Sequence, residues 1–394
     1  MKIVWLSRSS ELFGAELGMA ESVRALVAMG HEVCAVVPRP GDLTRLLSEA
    51  GCVTVVVPYA CWITSDVGGK RLGREALRAT ARRTAKNLRA ARMMRAVLRD
   101  RRPDVVITNS IALPLGAMIS NALGIPHVWF IRELFGNGGH GLHFDYGESL
   151  SLWLIDKLST RLVTLSRAAQ HQLQSKISPA KMHVVHSAIE IPPRPARIPD
   201  GGPLRLVQVG RLTAPKRPAD AIRAVALLAA KGIDVSLTLV GNGVHARDGA
   251  ELQRLAAELR IERKVEFIPF TLDPFTPMAA ADVAVMCSQR ECFPRVNIEA
   301  MKLGKPVVAA DSEGTAEAVA DGFNGFRFRM GDPASLAERL EILHLNRALL
   351  SQMGAQAMAW ATREFNFDRH YHALINVLDD ARRDHRPASV RQEL

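Results

Sequence analysis

The chain has few cysteines for its 394 residues: Cys34, Cys52, Cys61, Cys287 and Cys292. Five is an odd number and no C-x-x-C pair occurs, so a disulfide framework is not expected and a reducing cytosol is. Long apolar runs are also missing. No stretch of about 20 uninterrupted apolar residues exists, which argues against a transmembrane helix. The segment from Ile111 to Ile131 comes nearest, but Pro114, Ser120, Asn121, Pro126 and His127 interrupt it. The first residues, MKIVWLSRSSELFGAE, hold an apolar run too short for a signal-peptide core. H-E-x-x-H is absent, and no acidic metal cluster stands out. His140 and His143 sit in the glycine-rich segment GNGGHGLH, where an acceptor-side loop or plain solvent exposure explains them better than metal ligation.

Acidic charge is scarce in one half only. Residues 1–200 hold 26 basic and 16 acidic side chains, a net of +10 within a total of +11. An anionic surface or partner is therefore expected for that half. The excess peaks in Lys70–Arg102, with thirteen basic residues against Glu75 and Asp100. No Pro or Gly lies between Arg74 and Arg102, so a helix is expected. Leu77, Ala81, Thr84, Leu88, Ala91, Met94 and Leu98 recur at helical spacing, with Arg78, Arg82, Lys86 and Arg89 beside them. Two readings fit: a basic amphipathic helix lying on anionic lipid, or a solvated helix packing its small stripe on a sheet. No nucleic-acid module accompanies the charge, so no nucleic-acid partner is expected.

An apolar content of 48% is ordinary for a globular protein, and the length predicts two or three domains. Short β-branched runs alternate with helical stretches: residues 2–6, 32–37, 53–57, 105–108, 127–131 and 162–165, then 204–209, 235–240, 265–268, 283–286 and 306–310. Such alternation predicts parallel sheets covered on both faces. Residues 191–203, IPPRPARIPDGGP, carry five prolines and two glycines, which marks a hinge. The expected organisation is a first domain over 1–190, a linker over 191–203 and a second domain over 204–364. A helix near 365–385 packs back on the first domain, and a frayed tail covers 386–394.

The most informative stretch is CSQRECFPRVNIEAMKLGKPVVA, residues 287–309. A strand ends near Met286, and Pro294 suits the first turn of a helix that stops at Gly304. Glu291 and Glu299 then face different parts of an extended ligand. The helix N-terminus between them offers free N–H groups and a positive field, which suits a diphosphate. Arg211 and Lys216 follow the first strand of the second domain, where doubly wound folds bind ligands and a departing diphosphate needs positive charge. LVGNG at 239–243 adds a glycine turn.

As a set, these residues resemble the retaining glycosyltransferases of family 4, with their E-x7-E motif and GT-B fold: α/β, two doubly wound Rossmann-like domains facing a cleft. GRLTAPKRP, LVGNG, the 287–309 stretch and GTAEAVADGFNGF carry the resemblance in the second half. FGAELG, GHEV, HVWFIRELFG and TLSRAAQ carry it more loosely in the first.

The resemblance implies donor-binding roles for Arg211 and Lys216 (diphosphate), Glu299 (ribose), Glu291 (donor sugar) and the backbone at Phe293, Pro294, Arg295 and Val296. It implies an acceptor side at Gly14, Ala15, Arg132 and Glu133, with Arg132 joining Glu291, Arg211 and Lys216 in the catalytic set. No cofactor and no metal are implied. Phe13 stands where relatives have a first glycine, Cys292 where they have a small residue, Ser187-Ala188 for Asn-Gly, and Arg132-Glu133 for His-Asp. The expected activity moves a sugar from a UDP- or GDP-linked donor to an acceptor hydroxyl of a cell-envelope or lipid-linked glycan, peripherally at the cytoplasmic membrane face. The competing classes are an epimerase on the same fold and a non-catalytic membrane-associated scaffold.

Overall fold

The computed structural model describes residues 1–65, 74–134, 142–195 and 202–385. The tail 386–394, residues 196–201 of the proline-rich linker and the first residues of the basic segment, Lys70–Gly73, lie outside the described residues, as does His140. The chain forms two compact units: Met1–Ala188 with Phe367–Leu394, and Ile189–Asn366.

The first unit is built on β1 (Lys2–Ser7), β2 (Glu32–Val37), β3 (Val53–Val56), β4 (Ile63–Ser65), β5 (Val105–Asn109), β6 (His127–Ile131), β7 (Leu142–Phe144), β8 (Arg161–Thr164) and β9 (Met182–Val184). Seven of these form a parallel sheet in the order β3-β2-β1-β5-β6-β8-β9. β5 (VVITN) and β6 (HVWFI) are buried along their whole length, as a strand covered on both faces must be. β4 and β7 form a separate antiparallel pair, Ile63 opposite Phe144.

The helices are α1 (Gly14–Ala28), α2 (Asp42–Glu49), α3 (Arg74–Arg101), α4 (Leu115–Ala122), α5 (Glu148–Leu158) and α6 (Arg167–Leu173). α3, α4 and α5 form one layer: α4 packs on β5 and β6 and touches both α3 and α5. The last helix, α14 (Phe367–His385), packs against α1, β5, β6 and β8. Its Leu374, Val377, Leu378 and Ala381 recur at helical spacing and are buried. His370 lies 2.8 Å from Ser22 Oγ through Nε2 and 2.7 Å from the His186 carbonyl through Nδ1.

The second unit carries β10 (Leu204–Val209), β11 (Val235–Gly241), β12 (Val265–Pro269), β13 (Val283–Met286), β14 (Val307–Ala310) and β15 (Gly325–Phe328). All six run parallel, in the order β12-β11-β10-β13-β14-β15. Its helices are α7 (Pro218–Ala230), α8 (Arg247–Glu258), α9 (Phe275–Ala280), α10 (Arg295–Lys302), α11 (Glu313–Ala318), α12 (Pro333–Leu345) and α13 (Arg347–Glu364).

Both sheets reverse their strand order beside their first strand, between β1 and β5 in one unit and between β10 and β13 in the other. The carboxyl ends of strands at such a reversal form the usual ligand crevice of this architecture.

The structure departs from the sequence expectation along α3. Of the two readings of this helix, packing of the whole stripe on the sheet fails at Leu77 and Leu88, which are 71% and 68% exposed. The buried side runs instead through Ala90, Met94 and Leu98, with Asn87 holding the Ala60 backbone at 2.8 and 3.0 Å. At about 100° per residue the stripe drifts by roughly 60° between Leu77 and Leu98, so only its second half faces the sheet.

Candidate active site

The second unit's reversal point is built from two loops. β10 is followed by Gly210 and β11 ends at Gly241, both with positive φ. A Cβ on Gly241 would clash with the Gly210 carbonyl oxygen, so the two strand ends touch only because glycine stands there. Beyond Gly210, Arg211 is exposed to solvent. A 3-10 turn, Ala214–Lys216, follows. Gln208 donates to the Lys216 carbonyl at 3.0 Å, and Gln289 N–H donates to the Pro215 carbonyl at 2.9 Å. These bonds fasten the loop after β10 to the loop after β13. Across that seam the Lys216 ammonium donates to the Glu291 carboxylate.

Pro294 is extended and caps α10, whose first residue is Arg295. Pro294 is itself the cap, so the helix starts one residue later than its proline predicts. Phe293 is buried, 5.4 Å from the Phe365 ring, and Val296 is half-buried. Glu299 sits one turn into α10, nearly buried, with Arg295 Nη2 at 3.6 Å from its Oε1. Glu291 and Glu299 thus flank the free end of α10, each with a cation beside it. Gly314, in the first turn of α11, lies against the Glu291 and Cys292 carbonyl oxygens, where any Cβ would collide. The Asn297 amide nitrogen and the Ser312 and Thr315 hydroxyls nearby are buried without hydrogen-bond partners. Sequence reasoning missed these three, and only their burial reveals them.

A separate cavity of about 420 Å³ lies between α7 and α8. Its charges answer one another: Arg217 donates to Asp220 at 2.6 Å, and Arg254 faces Glu258 at 3.6 Å. It contains neither Lys216 nor Glu291.

In the first unit, the reversal point gathers the four residues expected there. Gly14 and Ala15 open α1 without a side-chain cap. Asn109, at the end of β5, donates to the Ala15 carbonyl at 3.1 Å and accepts from Arg132 Nε at 2.5 Å. Arg132 is buried, stacks 4.3 Å over the Phe130 ring and reaches Ser187 Oγ at 3.3 Å. Glu133 bonds the Arg132 backbone N–H, not its guanidinium; it also accepts from Ser110 Oγ at 2.5 Å and Ile111 N–H at 3.2 Å. Its cationic neighbour is Arg8, 3.5 Å away. Ser110 holds φ at +152°, a region other residues avoid, and such strain gathers at functional sites.

Arg8, Glu16, Asn109 and Ser110 were not singled out from sequence. The usable signal is positional: Arg8 directly follows β1, and Asn109-Ser110 ends a fully buried strand. Glu16 is the most unusual of them. It is fully buried in the first turn of α1, and neither carboxylate oxygen has a hydrogen-bond partner. Burial pushes its carboxyl above the ordinary range, while Arg8 opposes the shift.

None of the five cysteines, all among the described residues, forms a disulfide. Burial pushes the Cys52 thiol up to about 12 and the Cys61 thiol up to about 11, and it raises Cys287 as well. Cys292 is buried too, which favours a packed loop cysteine over an exposed redox thiol. Among the described residues no cluster of three His, Cys, Asp or Glu side chains could hold a metal. No described helix is long and apolar enough to cross a membrane.

Two family models match the chain: "Glycosyl transferase 4-like domain" over residues 13–188 and "Glycosyl transferases group 1" over residues 194–360. The second half of the chain is thus similar to a group 1 glycosyltransferase domain and the first half to a glycosyltransferase 4-like domain, each match covering less than half of the chain. Among curated relatives, D-inositol 3-phosphate glycosyltransferase of Streptomyces scabiei is 32% identical over 268 residues, 62% of this chain and 58% of the relative. The putative glycosyltransferase EpsD of Bacillus subtilis is 32% identical over 40% of this chain and 41% of its own. The chain therefore spans well under two thirds of these relatives' lengths.

Among solved structures, HepE of Anabaena in complex with UDP superimposes with a TM-score of 0.77 at 21% identity, over 96% of this chain and all of that one. A glycosyltransferase from Rickettsia africae gives 0.77 at 15% identity, over 96% and 98%. At such identities these likenesses establish the fold, which is GT-B: two Rossmann-like units with parallel sheets of seven and six strands.

Proposed function

We propose that this chain is a retaining, metal-independent hexosyltransferase of family 4. It moves a sugar from a UDP- or GDP-linked donor to an acceptor hydroxyl. The observation that carries the reading is the Lys216–Glu291 pair standing beside the open N-terminus of α10, with Glu299 one turn along it. A nucleoside diphosphate sugar needs cations and N–H groups at its phosphates and carboxylates at its hydroxyls, and this arrangement offers both. Lys216, Arg211 and the α10 N-terminus take the charge that develops on the leaving diphosphate. Glu291 accepts sugar hydroxyls and Glu299 ribose hydroxyls. Anabaena HepE, with the same fold, holds UDP, and in a further structure UDP-glucose, which supports a uridine donor.

The acceptor belongs to the first unit, around Gly14, Ala15 and Arg132. A cell-envelope polysaccharide or lipid-linked glycan precursor at the cytoplasmic membrane face suits the positive first half.

The test is thermal stabilisation by UDP, GDP, ADP and their sugar conjugates, with Lys216→Ala and Glu299→Ala alongside. A ligand at 100 times its dissociation constant adds about 2.7 kcal/mol. Stabilisation by one nucleotide that both variants lose supports the donor site and names the base. A folded protein that no nucleotide stabilises sinks the reading.

A further inference from the structure

The exposed side of α3 carries more than charge. Between Leu77 and Arg99 it has no acidic residue, and Arg78, Arg82, Lys86 and Arg89 all face solvent. Leu77, Ala81 and Leu88 face solvent with them, on the line that passes Thr84. At that line Thr84 Oγ1 lies 2.6 Å from the Tyr146 hydroxyl. One residue earlier in each segment, Arg83 pairs with Asp145, donating from Nε at 2.7 Å. These two contacts lock α3 to the turn that leads into α5. There Tyr146 and Leu150 are exposed, and Trp153 is 53% exposed. Leu150 and Trp153, three apart, share one face of α5. α4 lies between the two helices in the same layer and exposes Met118 without any acidic residue. The outer surface of the α3–α4–α5 layer is thus an apolar ridge bordered by cations.

We infer that this ridge is a membrane-docking surface that inserts into an anionic bilayer, with Trp153 and Leu150 as its anchors. The inference rests on the membrane attachment read above and specifies how it is made. Charge complementarity selects the occupant: a run of cations without acids suits anionic headgroups, each worth about a fivefold gain in binding. Tryptophan and tyrosine beside leucine suit the boundary between headgroups and acyl chains, where an apolar face sinks by roughly 5–10 Å. Attachment by charge alone would vanish in salt; attachment by this ridge keeps a salt-resistant part.

The experiment uses the full chain and sedimentation with vesicles of phosphatidylcholine, alone or with about a third phosphatidylglycerol. Wild-type protein is expected on the anionic vesicles. R82E/K86E/R89E should lower its affinity at least 100-fold. L150S/W153S should lower it about tenfold, and what remains should disappear as salt is raised. Brominated acyl chains should quench tryptophan emission on binding, and Trp153→Phe should remove that quenching while binding persists. Trp5, Trp62 and Trp129 are buried, and Trp360, half-buried, lies on α13 in the second unit, outside the ridge, so these four contribute little. All substituted side chains are exposed or half-exposed, and circular dichroism checks the fold.

Charge-dependent binding that is unchanged in L150S/W153S and shows no quenching leaves the electrostatic attachment standing and overturns the insertion. No binding to anionic vesicles at low salt overturns both. Neither result touches the nucleotide-stabilisation assay, which contains no lipid.

Discussion

Lys216 donates its ammonium hydrogen bond to Glu291 across the seam between the loops that follow β10 and β13. Both side chains are mostly buried, so each neutralises the other in a place where an unpaired charge is costly. Substituting one partner strands the other. Lys216→Met and Glu291→Gln should each cost about 1–3 kcal/mol in urea unfolding, and the double variant should recover part of the loss. Strictly additive losses would mean that the pair is not coupled. Nucleotide binding separates their roles: Lys216→Met should weaken UDP by at least about tenfold, whereas Glu291→Gln should spare UDP and lose only the extra affinity of the sugar conjugate.

Gly314 sits where a side chain would strike the Glu291 and Cys292 carbonyl oxygens. Gly314→Ala should therefore move the Glu291 loop, with a stability loss of about 1–3 kcal/mol. Its signature is a fall in nucleotide-sugar stabilisation. Unchanged sugar-nucleotide affinity would show that the loop absorbs the methyl group.

His127 is fully buried beneath Trp129, 2.8 Å from Thr108 Oγ1. Burial holds its imidazole neutral and lowers its pKa to about 3. The depressed value means that the contribution is complete above about 6.5 and is lost as pH falls from there towards 3. The slope is about 1.4 kcal/mol per unit. Between pH 7.5 and 5.0 the wild type should lose about 2 kcal/mol more than His127→Gln, as measured by denaturant midpoints. Parallel pH dependences would remove His127 as the cause.

Glu16 has the opposite sign. Its folded-state carboxyl is raised by burial, so the folded protein holds the proton more tightly than the unfolded chain. Its contribution is complete in acid and is lost as pH rises past the ordinary carboxylate value of about 4.5. Glu16→Gln should match the wild type in acid and exceed it by about 1–3 kcal/mol near pH 7, because the orphaned carboxylate is gone. A gain that is independent of pH would refute the titration.

The parts of the molecule legible in the sequence share one property: their information is contiguous. β5 and β6 are unbroken apolar runs, and their burial on both faces follows directly. Glu291 and Glu299 stand on one strand–loop–helix segment, so their spacing can be read along the chain. β9, β15 and the β4–β7 pair were not foreseen. Each is three or four residues long, two of them lie at sheet edges, and pairing rather than composition makes them strands. Glu133 was expected from the sequence, but its neighbours Arg8, Glu16, Asn109 and Ser110 were equally hidden, because these distant segments meet only when β1, β5 and β6 become neighbours. On α3 the drift of the stripe leaves Leu77 and Leu88 off the sheet, which a count of spacings along the chain does not show.

The place of α14 in the chain bears on how the molecule is made. During synthesis the first unit's sheet emerges early, but the helix that covers part of it emerges only after all of the second unit. Until then the surface under Leu374, Val377 and Leu378 stands uncovered on the nascent chain. A premature stop near residue 366 would therefore leave the second unit whole and cripple the first. A helix made after the second unit thus closes the unit that precedes it.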